Sequence, residues 1–320
     1  MQIFRCPACE GRVYFHNLTC ACGATLIFDP EAQDMRSGDD FCSNRADIGC
    51  NWQAEAEAEG LCRSCATTET VPDLREAENL PLWQQSELAK RWVLANLGRW
   101  GWFAKADTGA RPTFRMLSEK SAGGEAHIVM GHAQGVITIN VTEASEAVRA
   151  QRQEELGELY RTMTGHIRHE IAHFLFLRLS EDRGFLEGFR ELFGDESRDY
   201  AAALAAHYES PGSAGEDHIT SYATAHPHED WAETIAHLLH LVDLVDSAAA
   251  AELSLPDGLT SGYDAYADPD TEAVITRAVD LSIAVNHVNR ALDLPDVYPF
   301  VLPDGVRRKF AFAHDHLRLR

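Results

Sequence analysis

The sequence predicts an α+β protein in two parts, a small cysteine-rich β module ahead of a larger, mainly helical domain. Three observations carry that expectation. All eight cysteines lie before residue 66, in two quartets separated by strand-like stretches. A proline-free run from Arg152 to Leu179 repeats its apolar residues (Leu156, Leu159, Met163, Ile167, Ile171, Phe174, Leu175) at helical spacing. Between these regions Ile137, Ile139 and Val141 alternate with Thr138 and Asn140, as a half-buried strand does. The division falls at a polar, proline-containing linker, giving a module of residues 1–72 and a domain of residues 73–320.

Bulk composition narrows the function. With 320 residues and 45% apolar content the chain can bury a sizeable core. A formal charge of −22 argues against nucleic acid as a partner, and up to Pro72 there are already eleven acids against five bases. No run of eighteen apolar residues is present, so no membrane span is expected. The opening "MQIFRCPACEGRVYF" has no leader pattern, which points to a cytoplasmic protein whose thiols stay reduced.

Reduced thiols in clusters bind metal. Cys6-x-x-Cys9 pairs with Cys20-x-Cys22, and Cys42 with Cys50 joins Cys62-x-x-Cys65, each set offering four sulfurs to a tetrahedral zinc. The spacing from Cys42 to Cys50 is wide for a knuckle. Closed sites of this kind are structural, and for so small a module they supply much of the folding energy. The module can also dock a protein partner. After the linker "TTETVPDLREAENLPLWQQSE" a helix is expected from about Trp83 to Leu97.

The expected helix from Arg152 to Leu179 carries His169-Glu170-x-x-His173. One helical turn separates the two imidazoles, so both reach one zinc. Glu170 beside them is placed to act as general base on the attacking water. His166, a turn earlier, reads as an outer or surface residue. The alternating strand that precedes this helix fits an edge strand on which an extended peptide could add.

A zinc site open to water needs a third protein ligand. A histidine six residues after His173 is ruled out, because Leu179 stands there. Asp195 or Glu196 in "LFGDESRDYAAALAAHY" is one source. The favoured source is "SYATAHPHEDWAETIAHLLH", where Pro227 starts a helix running to about Val245. Glu229 and Glu233 share a face there, one to bind metal and the other to orient a ligand histidine. Trp231, Ile235, Leu238 and Val242 fall toward the core. His237 and His240 lie near the acidic face as outer groups, whereas His228 is expected to be exposed. Tyr222, seven residues before Glu229, could donate to an oxyanion.

Together "CPAC", "CNW", "LCRSC", "YRTMTGHIRHEIAHF", "LFGDESRDYAAALAAHY", "YATAHPHEDWAETIAHLLH" and "NRALDLPDVYPFVL" resemble the bacterial zinc-binding metallopeptidases that carry an N-terminal zinc ribbon. The resemblance runs in order over nearly the full length. It implies a zincin-like catalytic domain with a small edge-stranded sheet, His169 and His173 as ligands and Glu170 as base. The spacing of Tyr222, Glu229 and Glu233 also looks like that of gluzincins, which implies Glu229 as third ligand and an assisting role for Tyr222. The chain departs from the family pattern at Ala172, Phe174, Leu175 and His228, which bears on substrate fit and leaves every ligand in place.

The expectation is therefore a peptidase with one catalytic and two structural zincs, acting on a peptide or protein. Its rivals are a zinc-ribbon scaffold with a vestigial or latched helix site, and a hydrolase of non-peptide amides. Beyond Ala250, "AAAAELSLPDGLTSGYDAYADPD" reads as a loop that could act as a lid, "EAVITRAVDLSIAVNHVNRAL" as an amphipathic helix, and "RRKFAFAHDHLRLR" as a solvated terminal helix.

Overall fold

In the computed structural model, which describes residues 2–156, 161–256, 258–297 and 301–318, the cysteine-rich segment folds as two short hairpins. β1 (Phe4–Arg5) pairs antiparallel with β2 (Arg12–Val13), and β3 (Ile27–Asp29) with β4 (Asp34–Arg36). The core between them is aromatic. Phe28 lies edge-on to Phe4 and Phe15, with ring centroids 5.9 and 4.8 Å away, and tilts over Trp52 at 5.4 Å. The wide spacing from Cys42 to Cys50 holds one helical turn, α1 (Arg45–Ile48), ended by Gly49 in the left-handed conformation (φ 61°) that glycine adopts without strain.

β5 (Thr68–Thr70) leaves the second quartet, and α2 (Asn79–Gly98) starts ahead of the expected Trp83. Pro81 is tolerated because it falls in the first turn, where its missing N–H breaks no helical bond. α2 packs on the ribbon. Phe15 meets Trp92 at 5.6 Å, and Gln84 donates to the Asp47 carbonyl at 2.7 Å.

Next come β6 (Thr113–Leu117), a hairpin of β7 (Lys120–Ser121) and β8 (Gly124–Glu125), then β9 (Gly131–Ala133) and β10 (Val136–Asn140). One sheet has the order β5-β6-β10-β9. The alternating strand expected at an edge is therefore internal. Ile137 of β10 sits opposite Phe114 of parallel β6 and opposite His132 of antiparallel β9. The turn at Gln134–Gly135 folds β9 back onto it, and β9 becomes the edge instead. Val141 lies just past the strand in a 3-10 turn, where the Asn140 side chain accepts the Thr142 N–H at 3.1 Å.

The single helix expected from Arg152 to Leu179 is two, α3 (Glu146–Leu156) and α4 (Met163–Leu179). Leu159 of the apolar repeat lies outside the described residues. Arg161 and Thr162 are not helical, and Thr162 restarts the helix by accepting the Gly165 N–H on its hydroxyl at 2.9 Å.

The structure is α+β, and the chain divides into two compact units between Ile167 and Arg168, within α4. The second unit is helical: the rest of α4, α5 (Arg183–Phe193), α6 (Tyr200–Glu209), α7 (Pro227–Ala250), α8 (Thr271–Ala291) and α9 (Asp304–Arg318). Fully buried Trp231 centres its core, with Phe176, Phe185, Phe189, Phe193 and Phe312 at centroid distances of 5.3 to 6.4 Å. Ile235, Leu238 and Val242 follow Trp231 into that core.

One expectation for the tail changes. α9 is not a solvated helix: it buries Phe310 and Leu317, and its Lys309 ammonium meets Asp230 at 2.6 Å in the interior. The segment after α7 also contributes buried Leu259, Ala265 and Tyr266. Among the described residues no helix is long and apolar enough to cross a membrane.

Candidate metal centres and active site

Among the described residues, potential metal donors converge in three places: the two cysteine quartets, and His169 with His173 and Glu229. All eight cysteines are free thiols. Zinc about 2.3 Å from four sulfurs holds them about 3.8 Å apart. The structure places Cys6 and Cys22 3.8 Å apart, Cys9 and Cys20 3.6 Å, Cys50 and Cys62 3.6 Å, and Cys50 and Cys65 3.8 Å. Those spacings fit the ion. Backbone N–H groups of Cys62 and Cys65 point at the sulfurs of Cys42 and Cys62, at 3.2 and 3.3 Å, as they do toward thiolates. Burial, reinforced by the neighbouring sulfurs, pushes Cys62 well above its ordinary pKa, whereas hydrogen bonds from Cys50 and the other thiols hold Cys42 well below it.

The third cluster is built by α4 and α7. His226 caps α7, its Nδ1 accepting the His228 N–H at 3.1 Å, and Pro227 takes the first helical position. That start puts Glu229 in the first turn. Trp231 then donates its indole N–H to the Ala172 carbonyl at 2.9 Å, fixing α7 against α4 between the two histidines.

The donor atoms meet closely. His169 Nε2 lies 3.2 Å from His173 Nε2 and 3.0 Å from Glu229 Oε2, and His173 Nε2 is 3.6 Å from Glu229 Oε1. Tetrahedral zinc on nitrogen and oxygen ligands sets such atoms about 3.3 Å apart. Behind them, His169 Nδ1–H donates to Glu233 Oε1 at 2.8 Å, the arrangement that reserves the Nε2 lone pair for a metal. Thr220 donates to the other oxygen of Glu233 at 2.9 Å, and His237 Nε2 stands 3.6 Å from that oxygen.

Electrostatics agree with the geometry. Burial alone would lower the pKa of His169, but Glu229 and Glu233 on its two ring nitrogens outweigh it and raise it well above the usual value. Burial likewise opposes ionisation of Glu229, and His173 and His169 overcome it. Such a centre calls for positive charge, which a divalent cation supplies.

The other candidates fall as follows. Glu170 is buried on α4 next to His169. Tyr222 occupies a 3-10 turn before α7, its ring centroid 6.1 Å from that of His169. Burial and then the charge of Glu229 raise its pKa, so the phenol keeps its proton. His240 sits beside Arg168, Nδ1 to Nη1 3.5 Å, next to the buried Arg168–Asp243 pair. His166 binds Glu143 at 2.8 Å, in a network with Arg152 and Arg161.

His228 is half-buried rather than exposed, edge-on to Phe176 at 4.6 Å, because the cap of α7 turns it inward. Asp195 and Glu196 are not brought to the donor cluster. Asp195 accepts the Ser197 N–H at 2.9 Å, and Glu196 pairs with Arg190 at 2.8 Å.

Two neighbours of the cluster escaped sequence reasoning, Thr220 and Tyr200. The Tyr200 hydroxyl donates to Glu229 Oε1 at 2.5 Å. Asp199 caps α6 just ahead of Tyr200, its side chain accepting the Ala202 N–H at 3.0 Å. Nothing in the spacing of Tyr200 and Glu229 signals that they meet.

Comparison with known proteins places these clusters in a lineage. Residues 79–316 match the family model described as a putative zinc-binding metallo-peptidase, and residues 3–76 match a zinc-ribbon domain. Uncharacterized proteins of Mycobacterium tuberculosis and Mycobacterium bovis are each 36% identical over 329 residues, covering 98% of this chain and 94% of theirs. No solved structure matches the chain. With the cysteine quartets inside the matched ribbon and the histidine pair inside the matched larger region, this chain belongs to the family of putative zinc-binding metallo-peptidases that carry an N-terminal zinc ribbon.

Proposed function

We propose that the chain is a zincin-like, gluzincin-type peptidase, with one zinc held by His169, His173 and Glu229 and two structural zincs in the cysteine quartets. When bound, the catalytic zinc would polarise the scissile carbonyl and acidify water. Glu170 takes the proton from the attacking water and returns it to the leaving amine. Tyr222, kept neutral, donates a hydrogen bond to the oxygen that becomes negative.

One observation carries this reading. Glu233 holds the Nδ1 proton of His169 while Glu229 faces Nε2 of the same ring, so both nitrogens have partners suited to a metal ligand. The intact outer partners Thr220 and His237 favour a working site over a vestigial one. The ribbon of residues 1–72 then serves structure and docking, and the domain of residues 73–320 serves catalysis.

The test is Glu170→Gln. Parent and variant should both hold about three zincs per chain by elemental analysis, against about two in a His169→Ala/His173→Ala variant. Peptide turnover should fall by about 10²- to 10⁴-fold in Glu170→Gln. Equal cleavage by parent and variant would sink the peptidase assignment and shift the weight to the scaffold.

A further inference from the structure

We propose that Tyr200 confines Glu229 to one-oxygen ligation and thereby keeps a coordination position of the helix metal site open. This rests on the reading of His169, His173 and Glu229 as metal ligands. A carboxylate can hold a metal with one oxygen or with both. With both, these three residues would present four donor atoms, and with water the metal would have five ligands and no position left for a substrate carbonyl.

Glu229 is placed to be divided between two tasks. Both oxygens face the donors, Oε2 3.0 Å from His169 Nε2 and Oε1 3.6 Å from His173 Nε2, but Oε1 also accepts the Tyr200 phenol at 2.5 Å. A phenol remains a donor at neutral pH, so its O–H competes with the metal for that second oxygen. Glu229 is fully buried, with no solvent to take the role instead.

The phenol is held there by the turn that also launches Glu229. His226 Nε2–H donates to the Arg198 carbonyl at 3.2 Å, and its ring stands edge-on to Tyr200 at 5.2 Å. The Nδ1 of that same ring caps α7. His226 thus ties the segment ahead of Tyr200 to the first turn of Glu229's helix. Tyr200 itself is 42% exposed, so removing its hydroxyl opens no core cavity.

The experiment replaces zinc by cobalt(II) in the full chain and compares the parent with Tyr200→Phe. The His169→Ala/His173→Ala variant supplies the cysteine-site spectrum to subtract. Five-coordinate cobalt absorbs visible light more weakly than four-coordinate cobalt. Tyr200→Phe should keep its metal, lose about half or more of the helix-site band, and lower kcat more than KM as the site goes from four to five ligands. An unchanged band at full metal content overturns the proposal and leaves Tyr200 a packing residue. Loss of the metal from Tyr200→Phe alone also overturns it, since Tyr200 would then retain the ligand rather than limit it. If the parent spectrum equals that of the double-histidine variant, the ligand reading has failed as well, and that failure is seen without Tyr200→Phe.

Discussion

The cysteine quartets and the histidine–glutamate cluster differ in what comes first, the metal or the fold. Each quartet draws four sulfurs from a short local stretch, and its closed set leaves no position for substrate. The ribbon's interior is small, Phe4, Phe15, Phe28 and Trp52 with aliphatic side chains such as Val13, Leu26 and Ile27, so ligation there organises the chain. In the second unit Glu229 lies 60 residues along from His169, and a packed core around Trp231 brings the helices together. There the fold makes the metal site.

The quartets also differ from each other. All four cysteines of the second are buried, whereas Cys9 and Cys22 of the first are exposed. The largest effect that could break the comparison is therefore expected from the second quartet. Cys50→Ser/Cys62→Ser should abolish protected amide exchange across the ribbon, because a structural zinc of this kind contributes on the order of 10 kcal/mol. Cys9→Ser/Cys22→Ser should leave the second quartet's surroundings protected. Equal collapse in both variants would show that the first quartet is no more peripheral than the second.

A smaller effect sharpens the other side. If the fold makes the helix site, its outer partners tune a metal that the first three donors already hold. Glu233→Ala should weaken helix-site zinc by about 10- to 100-fold in chelator competition. An affinity indistinguishable from the parent would remove Glu233 from the site.

The smallest effect is a slope with pH. His169 has a raised pKa, so below that value it carries a proton that zinc must displace, and above it the ring is ready to ligate. Helix-site affinity should thus keep climbing with pH beyond the ordinary histidine value near 6.5, by up to about tenfold per unit per proton displaced. A plateau already reached at neutral pH would show that Glu229 and Glu233 do not hold charge on the free ring.

Local chemistry was legible in the sequence, and contact between distant segments was not. Cysteine spacing located both quartets, and Pro227 marked the start of α7 because proline at a first helical position has a backbone reason to be there. The helix–helix meeting of His169 with Glu229 and Glu233 was readable only as a shared face with an unproven partner. The strand of Ile137 and Ile139 was visible, but strand order was not, since alternation says which face is buried and nothing about what pairs on either side. Periodicity ran on through Arg161 and Thr162, which are not helical and where a capping hydroxyl starts a new helix. In the terminal segment, charge masked an apolar face holding Phe310 and Leu317.

The indole of Trp231 has one more consequence. The other five tryptophans all lie at or before Trp102, so Trp231 is the lone tryptophan of the second unit's sequence, and its N–H rests on the carbonyl between the two histidines. Of six fluorinated indole resonances, the one that disappears in Trp231→Phe would therefore report from beside the histidine pair. The molecule carries its own spectroscopic tag at the place where loading, opening and inhibition can be watched.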